Sequence, residues 1–388
     1  MSNFEPILPQ AIDFDPTRNL DELLKDVPAK WVVYLMTDEA DRPVQLLCVK
    51  NLRYSLKRRL GEGDATVLTK RVDYRQIVRK IYWRRVFSSF EADSVYLEAA
   101  RQYFPESYRG MTGFWPAWFL HINPDANFPR YTKTIDPNIK TGLLIGPVQD
   151  KHAAGRLIDD VIDWFDLCRY YNILLESPNT TACAYKQMGK CPAPCDGSIS
   201  MEQYRNLVQW SAQTLISPDE LIADNKKRMQ QAAAALKFES AAKIKQYIDS
   251  LSKLGKGPFR FVRLLKDFKY LSIQSGPRQN TAKVFLITPG QIDEIAGLID
   301  SPDPAEILRY ALPLAAQRDV NFLDTIAAER VAIVSQHLFR PKATEGIYLP
   351  LDTIDEKSVA KAFRDVQKQK IEEPVEESEG VVKELQML

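Results

Sequence analysis

The chain has 388 residues, 45% hydrophobic and 27% charged, an ordinary globular balance that excludes a wholly disordered or collagen-like protein. Its length predicts two to four compact units. No apolar run approaches the ~18–20 residues of a membrane-spanning helix, and the opening MSNFEPILPQAIDFDP lacks the basic-then-apolar order of an export signal, so a cytoplasmic protein with no membrane partner is expected. Lysine and arginine total 52 against 51 acidic residues, and a net charge of +1 argues for no partner by itself. Three scattered histidines, His121, His152 and His337, argue against a histidine-based metal centre or triad.

In chain order, residues 1–28 read as a lead-in punctuated by Pro9, Pro16 and Pro28. WVVYLM and VQLLCV, separated by the turn-forming TDEADRP, predict a β-hairpin. Leu52, Leu56 and Leu60 recur every four residues and predict a helix. A strand in YWRRVFSSF, a helix in ADSVYLEAARQYF and further strand character from FWPAWFLHI to FPRYTKT complete a small α/β unit over 29–135. A helical region over 136–215 contains Lys151 to Tyr171, whose apolar positions fit a buried helix, and four of the five cysteines. Over 216–254, Met229, Ala233 and Leu236, then Ala241, Ile244, Ile248 and Leu251, step by three and four on either side of a break near Lys237, which predicts two short antiparallel helices sharing one apolar seam. After a Gly255/Gly257/Pro258 linker, three strands (FKYLSIQSG, TAKVFLITPG, GIYLPL) and three helices predict a C-terminal α+β domain over 259–366, followed by an acidic tail over 367–388 with no fold of its own. The fold class expected is therefore multidomain α+β.

Two stretches carry chemistry. Between Lys50 and Arg85 twelve basic residues, Lys70 and Arg71 among them, are opposed only by Glu62, Asp64 and Asp73, with Tyr54, Tyr74, Tyr82 and Trp83 interleaved. Such a stretch is either a phosphate-binding surface with aromatic rings for bases or a solvated helix face. Cys168, Cys183, Cys191 and Cys195 lie close together without an intervening histidine, which suits tetrahedral Zn²⁺ or an iron–sulfur cluster, or else four free thiols packed under a loop. Cys48, alone in a strand, reads as core.

The hairpin, basic helix and following helix, then FPRYTKT, LLIGPV, FDLCR, CAYKQMGKCPAPCDGSISMEQY and MQQAAAALKFESAAKIKQYIDSL, resemble in order the UvrC family of DNA-repair nucleases: a GIY-YIG nuclease domain, a cysteine run and a UVR motif. The resemblance covers residues 31 to about 254, like the short, Cho-like members. It implies a [4Fe-4S] cluster on Cys168, Cys183, Cys191 and Cys195, with zinc the alternative. Within the basic stretch, Arg53, Lys57, Arg58 and Arg59 are the expected DNA contacts. The resemblance further implies docking on UvrB or another UVR-motif protein through Met229, Leu236, Phe238, Glu239, Ala242 and Ile248, although Lys245 and Gln246 replace the motif's usual Arg-Asp pair.

A GIY-YIG site needs a phenol near the attacking water, an arginine for charge developing on phosphate and a glutamate holding one divalent cation. Aligned on Asn51–Arg53, the first tyrosine is Tyr34 and the metal-binding glutamate is Glu98. The second tyrosine is replaced by Gln45, the lysine by Cys48 and the arginine by Ser55, and PESYRG has no matching asparagine. Gln45 cannot serve as a phenolate and Ser55 carries no charge, so a non-catalytic UvrC-like repair protein that binds DNA is expected. The alternative is a Mg²⁺- or Mn²⁺-dependent endonuclease with a rearranged site; a third class is a protein-interaction module without DNA affinity.

Overall fold

The computed structural model describes residues 7–61, 72–276, 278, 280–299, 303–318, 326–340, 346–368 and 381–383. Its first stretch runs β1 (Gln10–Asp13), α1 (Leu20–Leu23), β2 (Val32–Thr37), β3 (Pro43–Val49), α2 (Leu52–Leu60), α3 (Tyr74–Ile77), β4 (Lys80–Arg85), α4 (Ser89–Tyr103) and α5 (Tyr108–Thr112). The middle stretch runs β5 (Trp118–Ile122), β6 (Thr132–Thr134), β7 (Leu143–Val148), α6 (Lys151–Trp164), α7 (Tyr171–Leu174), α8 (Ala184–Gln187), α9 (Met201–Ile216), α10 (Asp219–Ala234), α11 (Phe238–Leu251) and β8 (Arg263–Leu264). The last holds β9 (Tyr270–Ser275), β10 (Ala282–Thr288), β11 (Gln291–Ile299), α12 (Pro304–Gln317), α13 (Ala327–Phe339), β12 (Gly346–Pro350), α14 (Glu356–Gln367) and β13 (Val381–Lys383). Among the described residues no helix is long and apolar enough to cross a membrane.

β2 and β3 form the expected hairpin, its turn closed by the Asp38 carboxylate accepting from the amides of Ala40 and Arg42. They sit inside an antiparallel sheet ordered β1-β4-β2-β3-β13. Strand alternation sends Val33, Leu35, Leu46 and Tyr82 to the face covered by α4, and Val32, Tyr34, Met36 and Leu47 to the face covered by α2. The segment expected as a lead-in belongs to this unit: β1 is an edge strand, and Leu8, Phe14, Leu24 and Val27 are buried. Four residues on a sheet edge offer too short an alternation to read as a strand. Of the expected tail, Val381–Lys383 pair with β3, and most of the remainder lies outside the described residues.

A second sheet, ordered β6-β5-β7-β8, joins β5 and β6 to strands on both sides of the helical region. Residues 118–134, expected in the first unit, therefore lie in the middle one, which closes only at Leu264. Gly146 permits the close β5–β7 approach, since a Cβ there would stand 2.7 Å from the Phe119 ring. Helix α6 starts at Asp150, whose carboxylate accepts from the Ala153 amide at 2.7 Å, and buries Ala153, Ala154, Leu157 and Val161 in a core shared with Tyr204, Val208 and Ala212 of α9.

α10 and α11 form the expected antiparallel hairpin, with Leu236 in left-handed backbone at the turn. Its base is fixed to the middle unit. Leu251 is buried there, the Trp164 indole donates to the Ser250 hydroxyl at 2.9 Å, and the Tyr247 hydroxyl donates to the Trp164 carbonyl at 3.2 Å.

The last sheet is antiparallel, ordered β11-β10-β9-β12. One face packs on α12 and α14 through Leu271, Ile273, Val284 and Leu286. The other packs through Tyr270, Phe285 and Ile287 into the core that also holds Phe90 and Tyr96 of α4 and Val331 and Ile333 of α13. Helix α4 thus lies between the first and last sheets. The two stretches expected as separate domains share one core; the residues inserted between them form a second core from Leu120 to Phe259, while Ala117 and Phe119 pack into the shared one.

Candidate functional site: nuclease-like face, cysteine cluster and hairpin

Tyr34 and Ser55 are fully buried, and their hydroxyls hydrogen-bond at 2.8 Å between β2 and α2. Gln45 lies opposite Met36 in the β2–β3 register and so shares this face; its Oε1 is buried without a hydrogen-bond partner. The positions corresponding to the two tyrosines and the arginine therefore lie on one face of the sheet, Tyr34 and Ser55 as interior packing and Gln45 half-buried. The phenol is sealed from water and engaged by the residue that stands where a guanidinium was expected.

Glu98 is carried by α4 on the opposite face of the sheet. Arg330 of α13 donates to its Oε1 from Nε at 2.9 Å and Nη2 at 2.7 Å, and to the Gly290 carbonyl at 3.1 Å. Neighbouring carboxylates of α4 are engaged in the same way. Glu91 meets the Lys283 ammonium at 2.6 Å with both side chains nearly excluded from water, and Asp93 meets the His337 imidazole at 2.9 Å and Arg340 at 3.8 Å. Burial pushes the Glu91 carboxyl above the usual carboxylate range, opposed by Lys283 and the Phe87 amide. These partners lie some two hundred residues downstream, and no local pattern could have announced them.

Much of the basic stretch is engaged in holding the first unit together. Arg53 donates from Nε and Nη2 to the Val27 carbonyl at 3.1 and 2.9 Å, and from Nη2 to that of Lys25 at 3.3 Å. Arg75 reaches the carbonyls of Pro16 and Leu60, Arg79 that of Val78, and Arg84 pairs with Glu294. Lys57 pairs with Asp21 at 3.1 Å in full view of solvent, Arg58 is exposed and Arg59 half-buried. Lys70 and Arg71 lie outside the described residues.

The four clustered cysteines gather around the end of α6 and the 183–195 segment. The Tyr204 hydroxyl accepts from the Cys168 amide at 3.1 Å, the Cys195 carbonyl accepts from the Thr180 amide at 3.0 Å, and Ala193 adopts left-handed backbone between Cys191 and Cys195. The Cys168 thiol donates to the Tyr170 carbonyl at 3.5 Å; the interaction between the Cys168 and Cys191 thiols raises the first and lowers the second, and burial raises that of Cys195. The donor chemistry suits zinc or an iron–sulfur cluster. The arrangement does not match it fully: among the described residues no group of three or more histidine, cysteine or carboxylate side chains is set as the ligands of one ion.

On the hairpin, Leu236 and Phe238 are 74% and 65% exposed at the turn. Glu239 and Ala242 are also exposed, Met229 is half-buried and Ile248 is buried near the base. The tip therefore presents apolar side chains to solvent, while Ile248 is already covered within the chain.

A mixed sheet-and-helix middle unit with a cysteine segment, followed by a two-helix hairpin, is the arrangement that the resemblance to UvrC implies. Residues 117–214 match the family described as UvrC/Cho excinuclease, middle domain, and residues 219–254 that described as UvrB/uvrC motif. Over these two regions the chain carries the middle domain and the motif of the UvrC family. It is similar to UvrABC system protein C of Rickettsia felis, 25% identical over 75% of this chain and 46% of the relative, and of Lachnospira eligens, 23% identical over 71% and 45%. A shorter match to that of Syntrophomonas wolfei is 34% identical over 28% of this chain and 18% of the relative. The chain spans less than half the length of these relatives. No solved structure matches.

Proposed function

We propose that this is a non-catalytic UvrC-like protein of nucleotide excision repair, cytoplasmic, which binds DNA through Lys57, Arg58 and Arg59 beside Arg53 and docks on a UvrB-type partner through the tip of its UVR hairpin. The observation that carries this reading is the state of the nuclease-like positions. Tyr34 is sealed against Ser55 on one face of the sheet, and Glu98 is held by Arg330 on the other. A hydrolytic site needs its phenol, cation and metal-bearing carboxylate converging on one phosphate. The apolar residues exposed at the hairpin tip support the docking.

The thiol chemistry of the four cysteines, rather than their spacing in this structure, supports a thiolate-bound centre, a [4Fe-4S] cluster or Zn²⁺, which would tie the end of α6 to the 183–195 segment. The test of function is incubation of the full chain with damaged duplex and Mg²⁺ or Mn²⁺. No nicking is expected, together with salt-sensitive duplex binding that weakens in Arg58→Glu. Nicking abolished by Glu98→Ala would assign an endonuclease instead, and the absence of any DNA binding would leave a protein-interaction module.

A further inference from the structure

Bordering the cysteine segment is a surface that neither the α2 face nor the hairpin uses. Tyr170, at the start of α7, is 45% exposed, and its ring meets that of Tyr185 on α8 at 5.8 Å between centroids. Guanidinium groups lie over the adjoining rings, Arg169 over Tyr185 at 4.9 Å and Arg130 over Tyr171 at 4.0 Å. Lys186, Met188 and Lys190 follow on α8 and the turn after it, all exposed.

Three of these cations have carboxylate neighbours: Arg169 pairs with Asp163, Lys186 with Asp196, and Lys190 with Asp166 at 3.5 Å. Arg130 makes no ion pair among the described residues, which leaves four cations facing three carboxylates. The Lys190–Asp166 pair is solvent-exposed and weak, so a phosphate can recruit Lys190 at little cost. Aromatic faces interleaved with cations are the chemistry that holds an unpaired strand: bases stack on the rings while arginine and lysine follow the backbone. A duplex keeps its bases stacked on each other and cannot offer their faces to Tyr170. An acidic peptide would satisfy the cations but leave the tyrosine rings uncovered.

We propose that Tyr170 and Tyr185, with Arg130, Lys186 and Lys190, form a contact site for single-stranded nucleic acid, distinct from the α2 surface. The proposal deepens the DNA-binding reading above and rests on it. It places the unpaired strand against the middle unit, beside the cysteines, and leaves the duplex to the first unit.

The test is fluorescence anisotropy of the full chain with a labelled oligothymidylate of about 16 nucleotides, in parallel with a labelled blunt duplex. The wild type is expected to bind the single strand, Tyr170→Ala and Arg130→Gln each to weaken it about tenfold, and Tyr170→Phe to retain it. Arg58→Glu should weaken the duplex alone. Unchanged single-strand binding in both Tyr170→Ala and Arg130→Gln overturns the proposal, as does a wild type that binds only duplex; in either case duplex binding dependent on Arg58 leaves the α2 reading standing. A wild type that binds neither probe overturns both.

Discussion

Arg330 closes on Glu98 through two nitrogens across 232 residues of sequence, placing a guanidinium of the last stretch against the carboxylate that matches the family's metal-binding glutamate. A carboxylate held in this way has no need of a divalent cation. Mg²⁺ at millimolar concentration should leave the thermal midpoint of the wild type unchanged. Glu98→Gln, which weakens a partly exposed charged pair, should cost about 1 kcal/mol. Stabilisation of the wild type by Mg²⁺ that is absent from Glu98→Gln would contradict this assignment.

The Tyr34–Ser55 hydrogen bond yields to a double-mutant cycle. Tyr34→Phe or Ser55→Ala alone leaves a buried hydroxyl with one partner fewer, at about 1–3 kcal/mol each, whereas the double variant removes both groups and should cost less than the sum. Ser55→Arg, which restores the family residue, would drive a guanidinium into this core and should fail to fold, whatever is added at Gln45. Urea denaturation measures all four.

The cysteine segment carries a pH signature. Hydrogen bonds from the Lys186 ammonium and then the Ser198 hydroxyl hold the Asp196 carboxyl down to about 2 from the ordinary 3.8. Because its folded value is depressed, the stabilisation is complete above 3.8 and is lost as pH falls towards 2. A ¹³C titration of the Asp196 carboxyl should show the low midpoint in the wild type and a return towards 3.8 in Lys186→Ala. An ordinary midpoint in the wild type would remove the clasp.

Anaerobic purification followed by a visible spectrum and metal analysis should reveal iron with charge-transfer absorption, or zinc without it. Serine at Cys191 or Cys195 should abolish the bound metal. A colourless protein without iron or zinc would leave the four cysteines as packed thiols.

At the hairpin, Leu236→Glu and Phe238→Glu alter side chains that contribute little to the fold and should leave the thermal midpoint unchanged. Capture by an immobilised UVR-motif partner should fall at least tenfold. Leu251→Ala, fully buried at the base, should instead destabilise by about 2–5 kcal/mol.

Local pattern exposed much of this architecture. Leu52, Leu56 and Leu60 marked α2, the paired apolar runs marked β2 and β3, and the three- and four-residue steps marked both helices of the hairpin. β11 was missed because Asp293, Glu294 and Gly297 interrupt its apolar alternation and its pairing with β10 is shifted twice. Aromatic β5 was assigned to the first unit because strand character does not disclose which sheet a strand joins. At the site, sequence comparison marked which side chains were exchanged at Gln45 and Ser55. That Tyr34 faces Ser55, and that α4 presents its carboxylates to Lys283, Arg330 and His337, depends on tertiary pairing that no window of sequence contains.

The insertion of residues 117–264 has a consequence for the order of assembly during synthesis. Val33, Leu35 and Leu46 share a core with Phe285, Ile287 and Val331, which are synthesised more than two hundred residues later. The inserted unit, with its own core, can be complete before then. The nascent chain can therefore acquire its hairpin and cysteine segment while the α4-facing side of its first sheet still waits for the partner surface that will finish it.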